Sequence, residues 1–447
     1  MLHSVLIANR GEIARRIIRA CRALGMRAVA VYSEADAGWP HVAEADKAIL
    51  IGAAPARDSY LSTERILDAA RAAGVEAIHP GYGFLSESWR FAQACEDAGF
   101  AFIGPPWQVI QQMGDKIQAR WLMAAAGIPV IPGSDGALES IERATEVAER
   151  IGYPVMLKAA AGGGGIGMVR VADAAGMPSA FAFAQRRAQA AFGSAALFVE
   201  RYLETPRHIE VQVFGDREGA VVHLHERECS IQRRHQKLIE ESPAPGIDPA
   251  LKERLTEAAV AGARSVGYVN AGTMEFIVQG REFYFLEMNT RLQVEHPVTE
   301  EVTGLDLVAA QLRVASGERL PWRQDEIVQR GAAIECRIYA EDPAKKFMPS
   351  PGRITRLVFP HGPGLRLESG VAEGVEVSVH YDPLLAKLIT RGSTREEALS
   401  RMEAALAAVV VEGVATVIPF HRRVLRSPAF RDGRVHTQMV EQGGFDG

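Results

Sequence analysis

Cysteine is scarce: four in 447 residues, at positions 21, 95, 229 and 336, with no CxxC pair among them. That spacing offers neither a disulfide framework nor a zinc site, and each reads as a small buried hydrophobe. No apolar run is long enough to span a bilayer. Met1 leads almost directly into a strand, with no room for a signal peptide, so the cytoplasm is the expected location. Positive charge is not in excess. The net charge of -5 speaks against a general nucleic-acid binder, though not against a local basic pocket. The first strand-to-helix turn, Asn9-Arg10-Gly11-Glu12, has one glycine where a dinucleotide fingerprint needs three, and no Gly-Lys-Ser/Thr phosphate loop follows anywhere.

What is present is an ordinary globular composition, 47% hydrophobic and 23% charged, on a chain too long for one core. Two or three domains are expected. Ser4–Asn9, Glu12–Leu24 and Ala28–Tyr32 read as a βαβ unit, with further alternation through Ala77–His79 and Phe100–Ile103. The loop from His79 to Glu87 carries Gly and Pro at a strand's carboxyl end, where open α/β sheets bind ligands. Tyr82 and Glu87 there either face a substrate or shape the loop. Met113–Ala126 reads as a helix with Lys116, and Gly127–Gly133 as a linker.

Tyr153–Lys158 and Met168–Val171 read as strands joined by a glycine run at 162–165 and 167. Gly162, Gly164 and Gly167 satisfy GxGxxG, but a strand follows instead of a helix, so the dinucleotide reading fails. A flap whose bare N–H groups close on phosphates is one reading, with Lys158 at its base; a flexible hairpin with a surface lysine is the other. Leu197–Glu200 and Arg207–Phe214 are further strands, the second with His208 and Glu210 on one face. Arg233, Arg234, His235 and Lys237 crowd together as a solvated surface or, beside a phosphate site, an anion clamp. Glu335 and Arg337 share a face of Ile334–Tyr339, where Arg337 could equally be a core-rim ion pair. Arg366–Ala372 and Glu376–His380 suggest a small β region, and Thr394–Val411 a final amphipathic helix.

The most informative stretch is Gly272–His296, which reads as a hairpin. A three-residue turn, Gln279-Gly280-Arg281, pairs odd positions with odd and puts Glu275 opposite Glu287, on a face shared with Phe283 and Phe285. Asn289, Arg291, Gln293 and Glu295 continue that parity. Two carboxylates at ~4 Å repel by ~1 kcal/mol in water and ~4 at an effective dielectric of ~20. A hard divalent cation removes the repulsion, and two carboxylates with an amide suit Mg²⁺ or Mn²⁺ completed by substrate phosphates. An amphipathic strand with a solvated polar face remains the alternative.

Taken in order, the chain resembles the biotin carboxylases of the ATP-grasp superfamily over nearly its whole length. The resemblance is carried by Ile7–Ala14, His79–Glu87, Met113–Lys116, the 162–167 flap, Gln232–Lys237, Glu287–Pro297, Glu335–Ile338 and Pro349–Gly352. It implies an α/β and α+β three-domain fold: an N-terminal Rossmann-like domain (1–113), a helix and linker (114–131), a glycine-flapped lid (132–203) and a C-terminal catalytic domain (204–447, with a distinct region at about 331–440). It implies ATP-dependent carboxylation of biotin with bicarbonate, through carboxyphosphate.

By motif match, Lys116, Lys158, His208 and the flap residues Gly162, Gly163, Gly164, Gly165 and Gly167 would contact the ATP phosphates or ribose. Glu200 and Leu203 would hold adenine, and Arg201, Gln232, His235 and Ile277 would complete the nucleotide site. Glu275 and Glu287 would also ligate metal, with Asn289 assisting a second ion. Lys237, Arg291, Gln293, Val294 and Glu295 would grip bicarbonate, Glu295 as its base. Arg337 would stabilise the biotin enolate, with Tyr82 beside the biotin. The resemblance further implies a homodimer working with a biotin carrier protein and a carboxyltransferase component, without nucleic acid or membrane. No Met-Lys-Met biotinylation motif or transferase segment occurs, so a stand-alone carboxylase component is expected.

Two departures stand out. Ile166 replaces a Lys or Arg of most relatives, in a Gly-Gly-Ile-Gly-Met version similar to urea carboxylases, and Ser88-Trp89 replaces the usual Asn. Ile166→Arg is expected to lower the apparent Kd for ATP; an unchanged or weaker Kd would count against a phosphate role there. Two other readings are an ATP-grasp ligase acting on an amine or carboxylate, and a nucleotide-binding regulator with a dead site.

Overall fold

The computed structural model describes residues 2–138, 140–159 and 168–445. Near the N-terminus five short parallel strands, β1 (Ser4–Ile7), β2 (Arg27–Tyr32), β3 (Lys47–Leu50), β4 (Ala77–His79) and β5 (Ala101–Phe102), lie in the order β3-β2-β1-β4-β5. The continuous apolar runs Ser4–Ile7 and Ala77–His79 are buried, as parallel strands covered by helices require. The chain order reverses where β1 meets β4. There the Asn9 amide donates to the carbonyls of Pro80 and Tyr82, both at 2.7 Å, tying the two strand-end loops together. Gly81 is required at this junction: its φ is +64°, and a Cβ would sit 2.8 Å from Asn9 Nδ2.

A three-stranded antiparallel sheet follows, β6 (Val155–Ala159) flanked by β7 (Val169–Val171) and β8 (Leu197–Arg201). Helices Ile141–Ile151 and Met177–Phe192 pack on it. The expected flanking strands are therefore present. The glycine positions 162–165 and 167, and Ile166, lie outside the described residues.

The third and largest unit is an eight-stranded antiparallel sheet. Its strands are β9 (Arg207–Gly215), β10 (Val221–Arg233), β11 (Gln236–Ser242), β12 (Asn270–Gln279), β13 (Glu282–Asn289) and β14 (Ala332–Tyr339), with Leu384–Gly392 and Leu365–Ser369. The spatial order is β13-β12-β9-β10-β11-β14, then Leu384–Gly392 and Leu365–Ser369 at the edge. One face of its first strands packs Val211, Met274, Phe276 and Phe283 against helix Pro249–Ser265. The other face is where the charged side chains collect.

Three local expectations are corrected. The β12–β13 turn has two residues, Gly280-Arg281, because Gln279 pairs with Glu282. Odd positions then pair with even ones until Leu286, which has no partner of its own. This one-residue bulge restores the parity, so Glu275 does face Glu287, while Phe283 and Phe285 turn into the apolar core on the opposite face. The helix expected over 113–126 breaks at Asp115, whose carboxylate accepts from the Ile117 and Gln118 amides and starts Lys116–Ala125 afresh. The helix expected at 394–411 is Arg395–Ala408, capped by Thr394. It is not the last, since Ile418–Arg426 and Pro428–Arg431 follow. Among the described residues no helix is long and apolar enough to cross a membrane.

Candidate active site

Strand alternation aims charged side chains from β9, β10, β11, β12 and β14 at one point. Lys237 on β11 is its centre: the ammonium lies 2.5 Å from Glu210, 2.7 Å from Glu275 and 2.7 Å from Glu295. Arg337 on β14 donates through Nη2 to the other oxygen of Glu295 at 2.8 Å, and its Nε lies 2.6 Å from Glu240. Arg227 on β10 donates to Glu210 at 2.5 Å and to Gln212, Thr299 and Thr273 beyond it. His208 Nε2 stands 2.9 Å from Glu275.

Glu210 and Glu295 have no exposed surface, so their charges survive only because cations meet them. Burial pushes the Glu295 carboxyl up, but Lys237, Arg337 and Arg227 outweigh it and hold the group well below the ordinary carboxylate range. Burial likewise opposes the charge on Lys237, and the carboxylates around it win, keeping the amine protonated.

Beyond Asn289 the chain leaves the sheet and turns through residues 290–295, yet Arg291, Gln293 and Glu295 still reach the same cluster. Arg291 donates Nε to Glu87 at 2.9 Å, Nη2 to Asn289 Oδ1 at 3.0 Å and Nη1 to Gln293 Oε1 at 2.8 Å. Asn289 and Gln293 in turn donate to Glu275, at 2.8 and 3.2 Å. The carbonyl of Val294 accepts from Lys387 at 2.7 Å, a wholly buried lysine also 3.0 Å from Glu12. Glu87 thus accepts from the Arg291 guanidinium and the Thr290 amide.

This floor closes one side of a cavity of about 1450 Å³. Its far wall carries Lys116, Lys158, Glu200, Arg201, Leu203, Ile277 and Glu287. Lys158 and Arg120 both pair with Glu200, the latter at 2.8 Å. Ile131, Leu203 and Tyr284, with Ile277 against them, form a small apolar cluster beside those charges. Lys116 is 3.9 Å from Glu287. Gln232 and Tyr82 also line the cavity, Tyr82 with the Lys387 ammonium 5.7 Å from its ring.

One expected grouping does not form. Arg234 and His235 occupy a two-residue turn with φ of +49° and +66°, so Lys237 points inward and Arg233 goes to Glu341, over the Phe347 ring. The four-cation clamp is split. His235 stays exposed on the cavity rim. Residues with a clear place here but no role assigned from sequence are Glu210, Arg227, Glu240, Lys387 and Glu12. A charged residue at an alternate position among Ile209, Val211 and Val213 was the available signal for Glu210; Arg227, between Glu226 and Glu228, carried none.

Three places gather potential metal ligands among the described residues. His208, Glu210 and Glu275 come within reach of one another, with the Lys237 ammonium against both carboxylates. Glu210, Cys229 and Glu295 come within reach of one another, but the Lys237 ammonium already stands against both carboxylates, and burial pushes the Cys229 thiol well up. The facing pair Glu275 and Glu287, with Asn289 beside them, is a hard oxygen set open to the cavity and fits Mg²⁺ or Mn²⁺.

Three family models cover the chain: "Biotin carboxylase, N-terminal domain" over residues 1–110, "Carbamoyl-phosphate synthase L chain, ATP binding domain" over 115–323, and "Biotin carboxylase C-terminal domain" over 335–442. A biotin carboxylase of Halalkalibacterium halodurans is 55% identical, the match covering 98% of this chain and 97% of that one. A pyruvate carboxylase subunit of Methanothermobacter thermautotrophicus is 52% identical over 99% of this chain and 90% of its own. The biotin carboxylase domain dimer of Hydrogenobacter thermophilus 2-oxoglutarate carboxylase, solved with MgADP, ADP and bicarbonate, superposes with a TM-score of 0.94 at 48% identity, covering 100% of this chain and 99% of that one. With relatives this similar over the full length, and a charged floor beneath a cavity of this size, the chain belongs to the biotin carboxylase family.

Proposed function

We propose that the centre built by Lys237, Glu295 and Arg337 is where bicarbonate is activated and passed to biotin. The chain is an ATP-dependent biotin carboxylase, a ligase that uses bicarbonate and releases ADP and phosphate. One observation carries the assignment of the centre. An ionised, wholly buried Glu295 is pinned between two cations, one of which also touches Glu275 of the facing carboxylate pair.

In this reading ATP lies along the far wall. Its adenine rests against Leu203 and Ile277 near Glu200 and Arg201, and its phosphates reach Lys116, Lys158, His208, Gln232 and His235. Mg²⁺ or Mn²⁺, with two ions expected, would be held by Glu275, Glu287 and Asn289 and would neutralise charge on the phosphoryl oxygens. Arg291, Gln293, Val294 and Lys237 seat bicarbonate against Glu295. As the anion takes over contacts that Lys237 and Arg337 now make, Glu295 regains basicity and accepts the bicarbonate proton. The oxygen left behind attacks the γ-phosphorus, ADP departs and carboxyphosphate remains. It breaks to CO2 and phosphate, the phosphate takes the N1′ proton of biotin, and N1′ then bonds to the carbon of CO2 to give carboxybiotin, with Arg337 facing the ureido oxygen and Tyr82 beside the ring.

The division into 1–113, 114–131, 132–203 and 204–447 belongs to the same proposal. So do a cytoplasmic homodimer, biotin delivered on a carrier protein, and a separate carboxyltransferase. Pyruvate and 2-oxoglutarate name the relatives' whole enzymes, so the acceptor is chosen outside this half-reaction. The test is ATP hydrolysis: it should require bicarbonate and rise on adding free biotin. Hydrolysis driven by an amine or carboxylate, with no response to biotin, would overturn the assignment.

A further inference from the structure

Arg291 and Arg337 are mounted alike. Each has a carboxylate behind its Nε: Glu87 accepts a hydrogen bond from Arg291 at 2.9 Å, and Glu240 stands in ion contact with Arg337 at 2.6 Å without hydrogen-bond alignment, while the terminal nitrogens point at the cavity floor. Glu240 is wholly buried on β11, in register with the equally buried Glu335 on β14. Like charges set opposite each other across a ladder normally destabilise it. Burial raises the Glu335 carboxyl well above the ordinary range against Lys387 and Arg337, so the pair escapes repulsion by holding a proton instead of through ion pairing. A buried acid in this place therefore calls for a reason beyond packing.

We propose that Glu240 is a positioning residue for the biotin half of the reaction, fixing the plane of the Arg337 guanidinium through its Nε. The proposal rests on the assignment of Arg337 to the ureido oxygen. A guanidinium is a rigid planar fork, so an acceptor at Nε sets where both terminal nitrogens lie. One goes to Glu295 at 2.8 Å and the other to Tyr339 Oη at 3.3 Å. The backbone is held separately, with the Arg337 carbonyl 2.7 Å from His421 Nε2, so losing Glu240 frees the side chain without releasing the strand. Burial raises the Glu240 carboxyl, Arg337 offsets part of that, and the group ends at about 7, with Glu295, Lys237 and Glu210 also facing it. The Glu240 oxygen touches Nε at 2.6 Å in an unaligned contact, and either protonation state keeps an oxygen there, so the support needs that oxygen in place more than a charge.

The experiment compares Glu240→Met, close in size but without an acceptor, with Glu240→Gln, which keeps one. Glu240→Met should lower biotin-stimulated kcat at least about tenfold more than it lowers biotin-independent, bicarbonate-dependent ATP hydrolysis. KM for ATP should move less than about threefold, and Glu240→Gln should recover to within about threefold of the parent. Should Glu240→Met not fold, Glu240→Asp, which withdraws the acceptor by one methylene, must show the same selective loss. Parallel falls in both rates and in Tm, with no rescue by glutamine, would overturn the proposal. Arg337→Ala separates the two failures. If it keeps full biotin stimulation, the role of Arg337 itself is wrong. If it loses stimulation while Glu240→Met keeps it, only the positioning role is wrong.

Discussion

Glu295→Gln is expected to slow bicarbonate-driven ADP release by about 10²- to 10⁴-fold, the range a positioned general base supplies. The substitution keeps size and one hydrogen-bonding oxygen, and it removes a charge that Lys237 and Arg337 meet at 2.7 and 2.8 Å. The neutral amide can accept from one of the two cations, which meet different oxygens of Glu295, and it cannot take a proton from bicarbonate. Affinity for ATP should change little, because the nucleotide wall is built from Lys158, Glu200, Leu203 and Lys116. Single-turnover ADP release at saturating bicarbonate is the measurement. Full-speed release in the glutamine variant would remove Glu295 from the chemistry and leave it only as an ion-pair partner of Lys237 and Arg337.

What the sequence shows of this site and what it hides divide along a physical line. Local patterns were readable: apolar runs gave β1 and β4, and alternation gave β9 and β14 and set Glu335 and Arg337 on one face. Register was not. The turn after Gln279 is one residue shorter than its composition suggested, and a bulge at Leu286 then repairs the parity. Glu275 and Glu287 consequently meet as expected, for a reason the turn alone did not contain. Phe283 and Phe285 change sides, because a one-residue slip inverts every side chain between the turn and the bulge. The same rule explains Arg233, which pairs with Gln236 across a tight turn and so lies on the opposite face from Lys237.

Contacts between strands far apart in the chain carry no local signature. Glu240 finds Arg337 because β11 pairs with β14 across about 90 intervening residues. Lys387 reaches Val294 and Glu12 from a strand whose own sequence reads as simply apolar, Leu384–Gly392. Long-range ion pairing is therefore what the residues Glu210, Arg227, Glu240 and Lys387 have in common, and it is legible only once the sheet order is known.

Lys237→Met is expected to be the most damaging single change to stability, about 3–5 kcal/mol near neutral pH. The methionine fills the space but leaves Glu210, Glu275 and Glu295 gathered without the ammonium that now lies within 2.7 Å of each. The loss should depend on pH, with a definite sign. In the parent, Glu295 lies well below the ordinary carboxylate range, so its contribution is complete above about 4.3 and fades only as pH falls through its depressed value. Without Lys237 the burial of these carboxyls is less opposed and they shift upward. The variant's native state then takes up protons that its unfolded chain does not, and it recovers stability as pH falls from 8 toward 5. Glu240 works in the opposite sense: its carboxyl lies at about 7 in the folded chain, so the stability it adds is present in acid and lost as pH rises through neutrality. Lys237 is one of the charges that lower Glu240, so its loss raises that carboxyl further and adds to the same recovery at low pH. Urea midpoints at pH 5 and pH 8 should therefore show the gap between parent and variant narrowing at the lower pH. A gap that stays constant would mean that Lys237 stabilises the sheet by packing, and that the three carboxylates do not depend on its charge.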